Sequence, residues 1–137
     1  MTRVALPQAL KAQILEEARQ AFPGECCGLV EGLRLEGGDE FRITALYPAR
    51  NLADASDRFE LAPEDHFQAF KAARANHRAL IGCYHSHPNG RAEPSATDKA
   101  GAGEENFLWL IAAGESLKPF VYLRGGFVGA DWVTSSE

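Results

Sequence analysis

The run RALIGCYHS, residues 78–86, is apolar enough to form the central strand of a sheet, and it leads directly into a polar loop. The segments around it set the frame. A first helix is predicted from about Pro7 to Ala21, with proline in its first turn and Leu10, Ile14, Ala18 and Ala21 on one face. FPGE breaks it, and CCGLVEGLRL and FRITALYPARN then read as two strands joined by a turn at EGGDE. After the polar stretch ADASD, RFEL reads as a short strand. Pro63 opens a second helix whose first turn carries Glu64 and Asp65, favourable charges at a helix N-terminus. Its spacing points Phe67, Phe70 and Ala73, or the Arg74 stem, at the core. A short alanine-rich helix starts near Ser95 and ends near Gly101 or Gly103. FLWLIAA, PFVYLRG and GFVGADWV supply the last strands. This order predicts a mixed α/β or α+β domain, a single one over residues 1–137, with no linker to suggest another.

A chain of 137 residues buries a core without disulfide or metal staples. Its net charge of −5 and the lack of a basic run in the sequence point away from DNA or RNA as a partner. The N-terminal stretch, interrupted by Lys11, Glu16, Glu17 and Arg19, reads as neither a signal nor a transit peptide, and no later stretch is apolar enough to span a membrane. Three cysteines, two of them adjacent, read as reduced thiols, and a cytoplasmic location is expected. Cys27 and Cys83 fall in apolar strands as small core residues. Trp109, Trp132 and the phenylalanines are likewise assigned to the core.

The chemistry concentrates in CYHSHPNGRAEPSATDKAGA, residues 83–102. Residues i and i+2 of a strand share a face, so His85 and His87 converge. Two neutral imidazoles suit zinc, and Asp98 can supply a third ligand from the first turn of the next helix. Ser95-x-x-Asp98 is equally a capping box, and the two readings are compatible. A cupin site also begins with two histidines so spaced, but no histidine follows residue 87 to complete its ligand set. A Cys/His peptidase using Cys26 or Cys83 is compatible with the spacing, although both histidines serve zinc better. His66 and His77 flank the second helix and are expected to be exposed.

The full string His85-x-His87-Pro88…Ser95-x-x-Asp98, together with PGECCGL upstream, resembles the JAMM (MPN+) zinc metallopeptidases. YPARN, RFELAPED, GCYHSHP and PSATDKAGA resemble the small prokaryotic members, over roughly residues 7–113. The resemblance implies a cytidine-deaminase-like sandwich, a curved mixed β-sheet with helices packed on it. It implies zinc held by His85, His87 and Asp98, with Glu25 as the general base on the zinc-activated water and Ser95 steadying the oxyanion. It further implies cleavage at the C-terminal tail of a ubiquitin-like protein, for the compact prokaryotic members a sulfur carrier with a Gly-Gly tail. NLADASDR is the candidate substrate loop. The alternatives are a non-catalytic MPN-type binding module and a zinc amidohydrolase acting on small peptides.

Overall fold

A computed structural model describes residues 2–35, 37, 39–53 and 56–133. The turn expected at EGGDE and the ADASD stretch lie partly outside the described residues. In chain order the elements are β1 (Arg3–Ala5), α1 (Gln8–Ala21), β2 (Cys27–Arg34), β3 (Glu40–Ala49), α2 (Pro63–Ala75), β4 (Ala79–Ser86), α3 (Ala96–Gly101), β5 (Phe107–Ala113), β6 (Ser116–Leu123), β7 (Gly126–Gly129) and β8 (Asp131–Trp132). The strands form one mixed sheet ordered β7-β6-β5-β4-β2-β3-β1-β8. β4 therefore sits inside the sheet, antiparallel to β2 and parallel to β5.

Both faces of that sheet are covered, as the apolar reading of residues 78–86 requires. α1 lies on one face, where Ile14 packs with Val30, Tyr84, Leu108 and Leu110. Tyr84 is fully buried there, and its hydroxyl donates to Glu17 Oε1 at 2.7 Å, tying α1 to the central strand. The ring crosses Gly28, its partner on β2, where a Cβ would lie 2.4 Å from the ring. Residues one step along the strands point the other way, and Leu29, Cys83 and Trp109 meet Ala69 of α2.

Two features bend the sheet. β2 carries a register shift on each side of Glu31, at Val30/Glu31 against β4 and at Glu31/Gly32 against β3. Such bulges increase local twist. The second feature is at the far end of the chain. β7 and β8 stand at opposite ends of the strand order, yet only Ala130 separates them. The Ala130 amide donates to Pro119 of β6, and the next amide, Asp131, donates to Thr2 beside β1. Consecutive Cα atoms are about 3.8 Å apart, so the two margins of the sheet meet and the sheet is nearly closed.

Several expectations need correcting. RFEL is not a strand; it makes a single bridge, Asn51 to Leu61, because the Asn51 side chain accepts the Ala53 and Glu60 amides at 2.9 Å each. GFVGADWV is two strands rather than one. The three-residue β1 has too little pattern to read from sequence. Most consequential is α2: Ala69 and Ala73 face the sheet, whereas Phe67 and Phe70 are 58% and 50% exposed. Two small residues a turn apart allow close approach to the sheet, which turns the larger phenylalanines outward. Phe22 is exposed as well, against the assignment of the phenylalanines to the core.

Candidate metal centre

The site forms where three segments end together. In the β2–β4 pair Cys27 stands opposite His85, so Glu25, just before β2, and His87, just after β4, lie beyond the same margin. Bonds past the strands hold this margin in register: Ser86 N–H donates to Cys26 O at 3.2 Å, and Cys26 N–H to Ser86 Oγ at 2.9 Å. On the other side His87 N–H donates to Ala112 O at 2.7 Å. α3 brings the fourth group. Ser95 caps it, with Oγ accepting the Asp98 amide at 3.0 Å, while Asp98 Oδ2 accepts the Ser95 amide at 2.9 Å. The capping box is therefore present, and it aims the Asp98 carboxylate at the histidines.

His85 Nε2 lies 3.0 Å from His87 Nε2, and both lie 3.0–3.1 Å from the Asp98 carboxylate. Glu25 offers a carboxylate oxygen within 4.8 Å of a nitrogen on each ring. All four side chains are buried. The proton positions decide what such a cluster requires. His87 Nδ1 donates to Arg91 O at 2.8 Å, so a neutral His87 presents only a lone pair at Nε2. That lone pair faces a carboxylate oxygen at 3.0 Å, and two acceptors at this distance repel unless a proton or a metal ion sits between them. A tetrahedral zinc with bonds of about 2.0–2.1 Å places its ligand atoms about 3.3 Å apart, close to what is found here. His85 Nδ1 and Glu25 Oε1 are buried and have no hydrogen-bond partner among the described residues. Two histidines and an aspartate, with a carboxylate set back from them, fit a zinc ion with an open coordination position.

The electrostatics follow from burial and from Asp98. Burial opposes ionisation of Asp98, yet hydrogen bonds from His85 and His87 and the Ser95 amide hold its carboxyl well below the usual range. Burial lowers His85 and keeps it neutral. Burial also works against the charged form of His87, but Asp98 and the Arg91 carbonyl outweigh it and raise that histidine. Burial pushes the Glu25 carboxyl up to about 7. The thiols go the other way from reactivity: burial raises Cys26 to about 11 and Cys27 to about 12, and Cys83 well above its ordinary value. A thiolate nucleophile is disfavoured at all three.

Two supporting residues escaped the sequence reading. Phe59 stacks on the His85 ring, with centroids 4.4 Å apart and planes 28° apart, and the Trp109 edge meets the same ring at 5.6 Å. His85, which lacks a partner at Nδ1, is thus held by aromatic contact. Asn51 Nδ2 donates to Glu25 O at 3.0 Å while its Oδ1 holds Ala53 and Glu60, so one side chain fixes both Glu25 and the loop bearing Phe59. In the sequence Asn51 shows only as the asparagine that ends YPARN. His66 and His77 are exposed and stand outside the cluster. Cavities of about 470 and 360 Å³ flank the site, the first reaching Gly24 and His87, the second Asp98, Phe59 and Trp109.

Fold and site together define a mixed α/β protein in which one end of a nearly closed sheet presents a buried histidine–aspartate donor set beside a carboxylate. Over residues 7–123 the chain matches the prokaryotic homologs of the JAB domain, and it belongs to that family. A desampylase of Haloferax volcanii is 31% identical over 117 residues, which are 82% of this chain and 81% of that protein. Tail tip assembly protein K of Escherichia phage N15 is 32% identical over 101 residues, 73% of this chain but only 37% of the phage protein. A solution structure from Desulfitobacterium hafniense superposes with a TM-score of 0.85 at 31% identity, covering 98% of this chain and 94% of that one. A JAB1/MPN-domain protein of Archaeoglobus fulgidus gives 0.51 at 18% identity over 98% of both chains, a likeness of fold alone. Among the described residues no helix is long and apolar enough to cross a membrane.

Proposed function

We propose that this chain is a zinc-dependent peptidase or isopeptidase that cuts at the C-terminal tail of a ubiquitin-like sulfur-carrier protein ending in Gly-Gly. The observation that carries the reading is the convergence of His85 Nε2, His87 Nε2 and the Asp98 carboxylate within 3.0–3.1 Å of one another, buried beside the unpartnered Oε1 of Glu25. His85, His87 and Asp98 would hold the metal. A zinc ion there would supply Lewis acidity, polarising the scissile carbonyl and lowering the pKa of a water to about 7.

The protein's own groups have the remaining work. Glu25 accepts a proton from the attacking water and delivers it to the departing nitrogen, so the C–N bond breaks with a neutral amine as the leaving group. Burial raises this carboxyl and so favours its holding the proton in transit. The Ser95 hydroxyl uses a lone pair on the Asp98 amide and keeps its hydrogen free to donate to the carbonyl oxygen as negative charge develops there. Asn51 holds the Glu25 backbone in place, and Phe59 with Trp109 shields one side of His85 from water. The family and the relatedness to a desampylase support a protein tail as substrate. Two glycines suit it because a chain without side chains can pass close to the donor set in extended form.

Metal content and product masses test this together. Purified protein should carry about one zinc per chain, and His87→Ala should lose most of it, since two ligands rarely hold zinc against a chelator. Glu25→Gln should keep the zinc and lose nearly all cleavage of a Gly-Gly-tailed carrier, read as the mass released. Ser95→Ala should lower kcat on the order of 10²-fold. A protein whose stability and spectra ignore added zinc, or a Glu25→Gln variant that cleaves like the wild type, would end the proposal.

A further inference from the structure

The outward face of α2 is unusual for a helix on a chain of net charge −5. Phe67 and Phe70 stand exposed on it, and the Lys71 ammonium lies 5.3 Å from the Phe67 ring centroid. Arg74 shares this face, and Arg78 follows the helix, its guanidinium donating to the carbonyls of Asn76 and His77 at 3.4 Å each. Among the described residues none of these three cations has a carboxylate within salt-bridge distance. The sequence explains why: from His66 to Ala92 there is no Asp or Glu. The cations are spread through a linear sequence that shows no basic run, and the helix gathers them.

This patch continues into the site. A cavity of about 350 Å³ lined by Phe70, Arg74 and Arg78 shares His66, Glu104 and Phe107 with the cavity that reaches Asp98, Phe59 and Trp109. The two cavities thus adjoin across these shared residues, which places the α2 surface next to the cavity that reaches Asp98. Exposed aromatics amid arginines are the composition of a protein interface rather than of ordinary surface. Unpaired cations there select an acidic partner and speed its encounter. A nucleic-acid backbone fits less well, because Glu64 at the helix start and Glu104 in the groove repel a continuous polyanion, and Lys71 covers the Phe67 face that a base would stack on.

We propose that the outward face of α2, with Arg78, docks an acidic surface on the folded body of the protein substrate whose tail enters the site. This rests on the reading of the substrate as a folded carrier with a C-terminal tail. The test uses a ubiquitin-fold protein with a Gly-Gly tail and a short extension, in an acidic form and in a form with its surface Asp and Glu changed to Asn and Gln, and the free tail peptide. The double variant Arg74→Glu/Arg78→Glu should weaken binding of the acidic form about tenfold, and raise its KM alike, at about 50 mM salt, with the gap shrinking at about 300 mM. Hydrolysis of the free peptide should not change, and the neutralised form should not distinguish the two proteins. Phe70→Ser should weaken the folded form by a smaller factor at both salts.

Thermal unfolding of each variant checks that the fold is kept. Equal binding of the acidic form by wild type and double variant overturns the proposal. So does tighter binding of a short single-stranded RNA than of the acidic protein, or a wild-type dimer that the double variant dissolves, which would give the face to a second copy. Loss of all cleavage with retained, salt-sensitive binding would instead sink the peptidase reading and leave the docking face standing.

Discussion

Glu31 is an acid inside the apolar run GLVEGL, buried at the bulge of β2. Burial alone would raise its carboxyl, but Thr44 Oγ1, Tyr47 OH at 2.6 Å and Asn76 Nδ2 at 3.1 Å all donate to it, and together they lower it. Tyr47, by burial and this neighbour, is pushed up to about 12 and so remains a donor. A carboxyl lowered in the folded state adds stability above its unfolded pKa of about 4.3, and that stability is lost as pH falls through the folded value. Glu31→Gln should therefore lower stability at pH 7 by about 1–3 kcal/mol and flatten the acid limb of the stability curve below about pH 4.3. Denaturant melts of both proteins across that range would show it; parallel curves would make Glu31 a bystander. At this scale the sequence was most informative about the donor set. His85 and His87 are brought together by strand alternation and Asp98 by a helix cap, and both are local rules. Glu31 and Asn51 are silent in the sequence because each reaches a partner set by the fold and by no local pattern, Asn76 for Glu31 and the Glu25 carbonyl for Asn51.

Elements show where periodicity succeeds and where it misleads. The α1 face was legible, since Leu10, Ile14, Ala18 and Ala21 all pack on one core cluster. In α2 the large phenylalanines mislead, because closeness of approach to the sheet favours the small Ala69 and Ala73 on the buried face. The β2–β4 contact follows the same logic of closeness. Tyr84 needs the space over Gly28, so Gly28→Ala should cost about 1–3 kcal/mol by forcing the ring aside, seen as a lower unfolding midpoint. An unchanged midpoint would mean the ring moves freely. The loop after β3 depends on one side chain. Asn51→Leu should release the Ala53 and Glu60 amides and the Glu25 carbonyl, loosening Phe59 from His85. The expected result is weaker zinc retention against a chelator and slower turnover, with global stability reduced by a smaller factor than either. Wild-type zinc retention would show that the loop holds itself.

For the whole molecule, the strand order could not be read from sequence. Segments with strand character were visible, but β1 is three residues long, and nothing local says that β8 crosses to pair with it. That crossing depends on Asp131 reaching Thr2 and Val133 reaching Val4. Truncation after Ala130 should open this seam: Trp132, which packs against the main core cluster, is lost, and β1 keeps only β3 as neighbour. Amides of β1 should then exchange with solvent far faster, while those of β4 remain protected. Equal protection of β1 in both proteins would show that β8 does not hold it.

The seam also bears on self-association. An open sheet grows by accepting a foreign strand at its margin, the first step of fibril formation. Here Pro119 of β6 and Thr2 beside β1 each give a carbonyl to one of two consecutive amides, so the chain itself spans the distance between the two margins. A foreign strand seeking the β1 margin must first displace β8 from it.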